Sequence, residues 1–252
     1  MTTVYDIDRF MNEWAAKELS EEWDNDGVML CGNLAAAAKK VLVCLEINKK
    51  TVIEARKMGC DLIITHHPFI FRPLKNICGT DFELASLLIS GNISVLSYHT
   101  RLDAAKEGVN DTLAQKLCLF DVEPFALLGR VGLLEGEMDV CEFLEYVKEK
   151  LSCKALRTSL CDKDKKIRKV ALLGGAGKDF VCDAAKISDA YVTGDLSHNA
   201  FITANECGLL AVDAGHYHTE NPVVGAVAQK LSERFCDVEF FVSDSLCPFE
   251  NF

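Results

Sequence analysis

The sequence lacks long apolar runs, and this excludes helices that span a membrane. None of its 252 residues belongs to an uninterrupted apolar stretch of the ~18–20 residues that such a helix needs. The N-terminal segment also lacks the basic region and apolar block of an export signal. Val4, Ile7 and Met11 recur there at helical spacing, which predicts an amphipathic helix instead.

Positive charge is scarce, because 27 Lys and Arg residues stand against 38 Asp and Glu residues, for a net charge of −11. A surface that binds nucleic acid needs a cationic footprint, so we expect no nucleic acid partner. One basic cluster, residues 163–169, is interrupted by an aspartate and has no interleaved aromatic residue. That pattern is typical of a solvated loop.

The twelve cysteines include no closely spaced pair, since the nearest two, Cys153 and Cys161, are eight residues apart. The absence of Cys-x-x-Cys argues against zinc ribbons, iron–sulfur clusters and thioredoxin chemistry. Cys44 and Cys118 lie in apolar runs, where a thiol is expected to pack as a small hydrophobe. A long chain with unclustered thiols belongs in a reducing compartment, so we expect a cytoplasmic protein.

Apolar patterning predicts strands and helices that alternate through most of the chain. The predicted strands are 39–47, 61–65, 93–98, 130–134, 169–173, 190–193, 209–212 and 238–242. The predicted helices are 50–58, 83–90, 110–117, 140–151, 180–186, 197–207 and 222–235. Strands that are apolar on both faces and separated by helices indicate an α/β fold with covered, mixed sheets.

The segment 121–137 has weaker periodicity, with a proline and glycines, and it marks a boundary between two α/β lobes. We therefore expect lobes at residues 1–122 and 123–252. The C-terminal strand could return to the first lobe, which the pattern leaves open.

The histidines are concentrated at the C-terminal ends of predicted strands or in the turns that follow. The six are His66, His67, His99, His198, His216 and His218. In open α/β sheets, ligands bind beyond the carboxyl ends of the strands. Asp103 and Glu220 add a carboxylate four residues after His99 and His216. Imidazole nitrogen with carboxylate oxygen suits zinc, iron, manganese, cobalt or nickel, so we predict a metal site.

Each of these segments also has a structural interpretation. The pair His66 and His67 could be one core and one exposed side chain, and His99 could bond only to its own loop. Between His216 and Glu220, a predicted helix cap at Thr219 weakens the argument for a one-turn ligand pair. His198 and the neighbouring Asp195 rank below the others as ligands, and His218 is expected at the surface or behind the ligands.

Two other motifs are interpreted structurally. Residues 172–178 look like a phosphate loop, but Lys178 is followed by Asp179 rather than Ser or Thr, so we predict a tight strand-to-helix turn. Trp23 adjoins a polar turn, and we predict that it anchors the core.

Taken in order, these residues resemble the NGG-interacting-factor-three-like family of dinuclear metal-centre proteins, also called GTP cyclohydrolase 1 type 2 homologues. The resemblance covers nearly the whole chain in the short form, without a long insertion in mid-sequence. It is carried by Trp23-Asp24-Asn25, Ile64–Pro68, His99–Asp103, Leu173–Gly177, Thr193–Asp195 with His198, and Asp213–His216 with Thr219-Glu220.

The resemblance implies two divalent metal ions per chain, held in a cleft between the lobes. The implied ligands are His66, His67, Asp103, His216 and Glu220. His99 and His198 would line the cleft as acid–base groups, and the chain would assemble as a toroidal homohexamer. Tyr217 and His218 depart from the family pattern between two of the ligands without changing the ligand spacing.

On this basis we expect a metal-dependent hydrolase that acts on a small anionic, nucleotide-like substrate. His99 or His198 would transfer protons. Arg101 is the nearest guanidinium in the sequence that could bind a phosphate. Two alternatives are a non-catalytic protein that stores or delivers a metal ion, and an interaction scaffold that retains the site.

Overall fold

The computed structural model describes residues 1–160, 162–244 and 246–250. Its helices are α1 (Val4–Trp14), α2 (Lys49–Met58), α3 (Gly79–Ser90), α4 (Thr100–Ala104), α5 (Val109–Lys116), α6 (Val140–Leu151), α7 (Val181–Ile187), α8 (His198–Glu206), α9 (His216–Glu220) and α10 (Pro222–Arg234). Its strands are β1 (Gly27–Leu30), β2 (Lys40–Cys44), β3 (Leu62–Thr65), β4 (Ser94–Ser97), β5 (Phe120–Phe125), β6 (Gly129–Asp139), β7 (Arg157–Thr158), β8 (Lys166–Ala176), β9 (Ala190–Gly194), β10 (Leu210–Asp213) and β11 (Glu239–Val242). Within the described part of the chain, each helix is too short or too polar to cross a lipid bilayer.

The chain divides into two compact units. The first comprises Met1–Lys106 and Val224–Leu246, and the second comprises Glu107–Val223 and Cys247–Phe252. These limits differ from the lobe boundary expected at residues 122 and 123. The difference arises because α5 packs against β8 in the second unit, and because β11 pairs with β2 in the first.

The sheet of the first unit has the strand order β1-β4-β3-β2-β11. Strands β4, β3, β2 and β11 run parallel, and β1 is antiparallel to β4. Strand β11 pairs with β2 from Lys40–Glu239 to Val43–Val242, so the C-terminal strand does return to the first sheet. The result is a mixed sheet, as the apolar patterning indicated.

The central strands β2, β3 and β4 of this sheet are buried on both faces. On one face, Leu42, Cys44 and Ile63 form a core cluster with residues of α2 and α3. On the other face, the alternating residues Val43 and Ile64 are equally buried. This two-sided burial explains the continuous apolar runs in the sequence.

Helix ends in the first unit follow their sequence signals. Helix α1 begins with a capping box in which the Thr3 hydroxyl accepts from Asp6 N and the Asp6 carboxylate accepts from Thr3 N. Helix α2 is capped by Asn48 and ends at Gly59, whose φ of +69° places it in the left-handed region. These contacts satisfy backbone groups that a helix end otherwise leaves without partners.

The second unit contains a sheet with the strand order β5-β6-β8-β9-β10-β7. Strands β8, β9 and β10 are parallel, and the remaining pairings are antiparallel. One apolar cluster joins the sheet to α5 and α6, and a second cluster joins its other face to α7 and α8. Both faces of the parallel strands are therefore covered, which is the usual condition for such strands.

The described cysteines include buried, half-buried and exposed side chains. Cys44 and Cys60 lie in the core, whereas Cys118 is exposed, which corrects the expectation that it packs as a hydrophobe. The reason is local, because Cys118 follows the end of α5 with a φ of +48° and leaves Leu117 to fill the core. Burial raises the pKa of the Cys44 thiol to about 12 and that of Cys60 to about 11.

We expect iodoacetamide at about pH 8 to alkylate Cys118 in the native protein and to leave Cys44 and Cys60 unmodified. Only the thiolate reacts, and burial both raises the pKa of Cys44 and Cys60 and keeps the reagent away from them, whereas Cys118 is exposed. Peptide mass spectrometry gives the extent of labelling at each position. Labelling of Cys44 at the rate seen for Cys118 would contradict the core placement.

Candidate metal centre

Two adjacent strands of the first unit deliver candidate ligands to one edge of their sheet. Strand β3 ends at Thr65 and is followed by His66 and His67, while β4 ends at Ser97, two residues before His99. The parallel pairing of Thr65 with Ser97 brings these two ends together. The carboxyl ends of parallel strands are where α/β sheets place their ligands.

The three imidazoles form one cluster in the first unit. The ring centroids of His66 and His67 are 5.1 Å apart, those of His66 and His99 are 5.2 Å apart, and those of His67 and His99 are 5.8 Å apart. One nitrogen from each ring lies within 4.8 Å of the others. This spacing allows all three nitrogens to bind a single metal ion.

The orientation of His66 is set by a backbone carbonyl. Its Nδ1 lies 3.0 Å from the carbonyl oxygen of Tyr98. A carbonyl only accepts hydrogen bonds, so Nδ1 carries the proton and Nε2 carries the lone pair that a metal ion requires. His66 is 3% exposed, and its Nε2 lies 3.7 Å from Oδ1 of the buried Asp103 in α4.

His99 is held by Asp24, a residue to which the sequence analysis gave no role of its own. The Nδ1 of His99 lies 2.9 Å from Asp24 Oδ1, while Asp24 Oδ2 accepts from Thr100 N at 3.0 Å and Thr100 Oγ1 at 2.6 Å. Burial alone would raise the pKa of Asp24. The hydrogen bonds from His99 and Thr100 outweigh it and lower the pKa below the ordinary value.

His67 has a carboxylate neighbour as well. Its Nδ1 lies 3.4 Å from Oε2 of Glu46, two residues beyond the end of β2. Strand β2 runs parallel to β3, so Glu46 reaches the same edge of the sheet as the histidines. The sequence analysis missed Glu46, and its signal was the position of an acid just after an apolar strand.

The second unit places His216 and Glu220 together. Both belong to α9, and His216 Nε2 lies 2.9 Å from Glu220 Oε2. The expected helix start between them is wrong, because α9 begins at His216 after Gly215, and Thr219 lies inside the helix. The one-turn spacing of a ligand pair therefore holds.

Two further residues shape this pair. Asp195, which follows β9, places Oδ2 at 2.7 Å from His216 Nδ1. Gly175 has a φ of +70°, and a Cβ there would lie 2.1 Å from Glu220 Oε1 and 3.3 Å from His216 Cε1. Glycine is therefore needed for room as well as for backbone conformation. The tight turn that the sequence predicted at residues 172–178 lies at the end of β8, which continues to Ala176.

The comparisons with known proteins identify the family. The model of Duf34/NIF3 (NGG1p interacting factor 3) matches residues 2–248. The chain belongs to the Duf34/NIF3 family. A relative in Clostridium perfringens named GTP cyclohydrolase 1 type 2 homolog is 37% identical over 259 residues, which cover 97% of this chain and 98% of the relative.

Solved structures show the same fold for this Duf34/NIF3 chain. A Bacillus cereus protein related to NIF3 superposes with a TM-score of 0.95 at 24% identity, covering 100% of this chain and 99% of that one. Reduced HcgD from Methanocaldococcus jannaschii gives a TM-score of 0.84 at 32% identity, covering 97% and 98%. Because the Bacillus cereus protein is only 24% identical to this chain, its similarity supports the fold alone.

The donor set of this Duf34/NIF3 chain fits a divalent transition metal. His66, His67 and His99 offer three clustered nitrogens, and Asp103 in one unit and Glu220 in the other are buried carboxylates. A histidine that binds a metal through one ring nitrogen generally donates a hydrogen bond from the other to a carboxylate or backbone carbonyl. His66 and His99 have such acceptors beside Nδ1. Nitrogen and oxygen donors of this kind suit several first-row metals.

The expectation that Arg101 contacts substrate is not supported by its placement. Its side chain is 1% exposed, with Nε 3.2 Å from Asp26 Oδ2 and Nη1 2.6 Å from Asn12 Oδ1. The guanidinium also lies over the ring of Tyr98, 4.6 Å from its centroid. Because these partners enclose the cation inside the first unit, Arg101 stabilises the fold and does not meet a ligand from solvent.

We expect Arg101→Met to lower the free energy of unfolding by about 2 kcal/mol or more, since the buried Asp26 carboxylate loses Arg101 and keeps Lys17. Urea unfolding followed by circular dichroism measures the change. The control is Arg9→Met, because Arg9 makes an exposed pair with Glu13, and its loss should cost about 0.5 kcal/mol or less. Equal losses for the two variants would contradict the structural role of Arg101.

The remaining predicted residues have different surroundings. His198 is exposed at the first position of α8, with Ser197 as its cap. His218 is half-buried, and burial lowers its pKa despite a hydrogen bond with the Leu151 backbone. Trp23 is 60% exposed, so its predicted role as a core anchor is wrong. A large aromatic beside a polar turn does not by itself indicate burial.

Proposed function

We propose that this chain is a metal-dependent hydrolase whose histidines and carboxylates bind divalent cations. The observation that carries the proposal is the approach of one nitrogen each from His66, His67 and His99 to within 4.8 Å of one another. The His216–Glu220 pair supplies further donors of the same kind from the second unit. The proposed ligands are His66, His67, Asp103, His216 and Glu220, with His99 as an additional donor.

The proposed role of the surrounding groups is to fix the imidazoles before a metal ion arrives. The Tyr98 carbonyl and the Asp24 carboxylate hold Nδ1 of His66 and His99, which turns each Nε2 toward the cluster. Asp195 does the same for His216. Such partners fix ring orientation and raise ligand basicity. Asp103 and Glu220 would help to hold the cations through their carboxylate oxygens.

A pair of bound divalent cations would lower the pKa of a water molecule and stabilise negative charge that develops on the substrate. The exposed imidazole of His198 would move a proton to or from the reacting group. The net charge of −11 repels anions, so the substrate's negative groups would be held by the cations. The proposed substrate is a small anionic molecule of nucleotide type. The toroidal homohexamer and the cytoplasmic location stay predictions.

We expect elemental analysis of the purified protein to give about two metal ions per chain, as in two-metal hydrolytic sites. His66→Ala and His216→Ala should each lower this number, because each removes a proposed ligand. A metal content in both variants equal to that of the parent would contradict the proposed ligand set.

A matched pair of glycine variants controls for nonspecific effects in the same measurement. Gly175→Ala should lower the metal content, because its Cβ would occupy space taken by the Glu220 carboxylate. Gly225→Ala should leave the content unchanged, since a Cβ at Gly225 in α10 meets no atom within 4 Å. An effect of equal size in both variants would count against the site.

We expect hydrolysis of at least one member of a panel of nucleotides, phosphodiesters and anionic esters, with loss after chelation and recovery after metal is restored. His198→Ala should reduce turnover by about 100-fold with metal content unchanged, the size typical of a lost acid–base group. Absence of turnover over the whole panel by protein that carries its metal would overturn the hydrolase and favour metal storage or delivery.

A further inference from the structure

Two aromatic side chains of the first unit are exposed next to the histidine cluster. Trp23 is 60% exposed and Phe71 is 43% exposed. Their ring centroids lie 6.0 Å apart and their planes meet at 70°, so the rings form an open corner. Large exposed apolar side chains are more informative about binding than buried ones, because burial is their usual state.

The corner adjoins the proposed metal ligands. The ring of His99 lies 6.2 Å from Trp23 and 6.1 Å from Phe71, at angles of 75° and 86°. His99 is also a member of the cluster with His66 and His67. A molecule that contacts both aromatic rings would therefore lie against the site of the proposed chemistry.

Hydrogen bonds on both sides hold the corner in place. Asp24, the residue after Trp23, accepts from His99 Nδ1 and from the Thr100 backbone and hydroxyl. Asn25 donates from Nδ2 to the carbonyl oxygen of Ile70, the residue before Phe71. The two rings are thus fixed to the same strand ends as the histidines. Such preorganisation reduces the entropy lost when a ligand binds.

We infer that Trp23 and Phe71 form a subsite for a planar heteroaromatic ring of the substrate. A flat ring stacked on one side chain presents its edge to the other, and both arrangements are favourable for aromatic pairs. This inference rests on the proposed function and specifies its substrate class. The substrate is a small molecule that carries a heterocycle on one side and an anionic group toward the metal ligands on the other.

A second copy of the chain is a poorer occupant for this corner. Two aromatic side chains bury at most about 150–250 Å² each, which is less than the ~800 Å² per partner that a stable interface needs. Their position against His99 also links them to the candidate site rather than to a separate patch. An assembly role is nevertheless a distinct outcome of the experiment.

Tryptophan fluorescence of the purified protein with its metal tests the inference without using activity. The chain has two tryptophans, so a Trp14→Phe background reports on Trp23 alone. The probes are the 5′-monophosphates of adenosine, guanosine, cytidine and uridine, together with nicotinate, and the non-aromatic control is ribose 5-phosphate. We expect saturable quenching by at least one ring-bearing probe and none by ribose 5-phosphate.

Phe71→Leu should weaken binding of the quenching probe about fivefold or more, the effect of losing one stacked ring. The matched control is Phe82→Leu, because Phe82 in α3 is 60% exposed and lies outside the corner that Trp23 and Phe71 form against His99. Quenching by no probe in the panel overturns the subsite, as does an equal effect of Phe71→Leu and Phe82→Leu.

Two further measurements separate this inference from other roles. Metal content in Phe71→Leu should match that of the parent, and its loss would show that the ring only supports the ligands. Light scattering should show an unchanged assembly, and dissociation without a change in probe affinity would assign the corner to a second copy. If the unsubstituted protein binds a ring-bearing probe but no metal, the proposed function alone is overturned. If it binds metal but no ring-bearing probe, the subsite alone is overturned.

Discussion

The chemistry available to this chain depends on which nitrogen of each imidazole the protein holds. In His66 and His99, Nδ1 faces an oxygen that accepts a hydrogen bond, so the proton is placed there and Nε2 keeps its lone pair. In His216 the same nitrogen faces Asp195. One arrangement thus recurs on two different sheets. It gives both units of the chain donors that suit the same kind of metal ion.

The positions of the histidines were predictable because they follow from a general property of parallel sheets. The apolar runs before His66 and His99 indicated buried strands, and parallel strands bring their carboxyl ends to a common edge. The Duf34/NIF3 family and the mixed α/β fold could likewise be inferred from ordered motifs and alternating elements. These features depend on local sequence and on a few rules of topology.

The residues that orient the ligands were harder to predict, because they come from distant parts of the chain. Asp24 contacts His99 only because β1 pairs antiparallel with β4, a pairing that the short and partly polar strand does not reveal. Arg101 was chosen for its charge, yet Asp26 and Asn12 enclose it. Charge and spacing suggest what a side chain can bind, whereas burial depends on the tertiary contacts.

The return of β11 to the first sheet affects the order in which the chain can fold during synthesis. Strand β2 gains its outer neighbour only when Glu239–Val242 has been made, and the Thr2 hydroxyl bonds to Asp237 at 2.6 Å. Residues 107–223, by contrast, form nearly all of the second unit without interruption. Contacts between distant residues form late because closing a long loop costs entropy. Residues 107–223 can therefore fold on the ribosome before the N-terminal strands pair with β11.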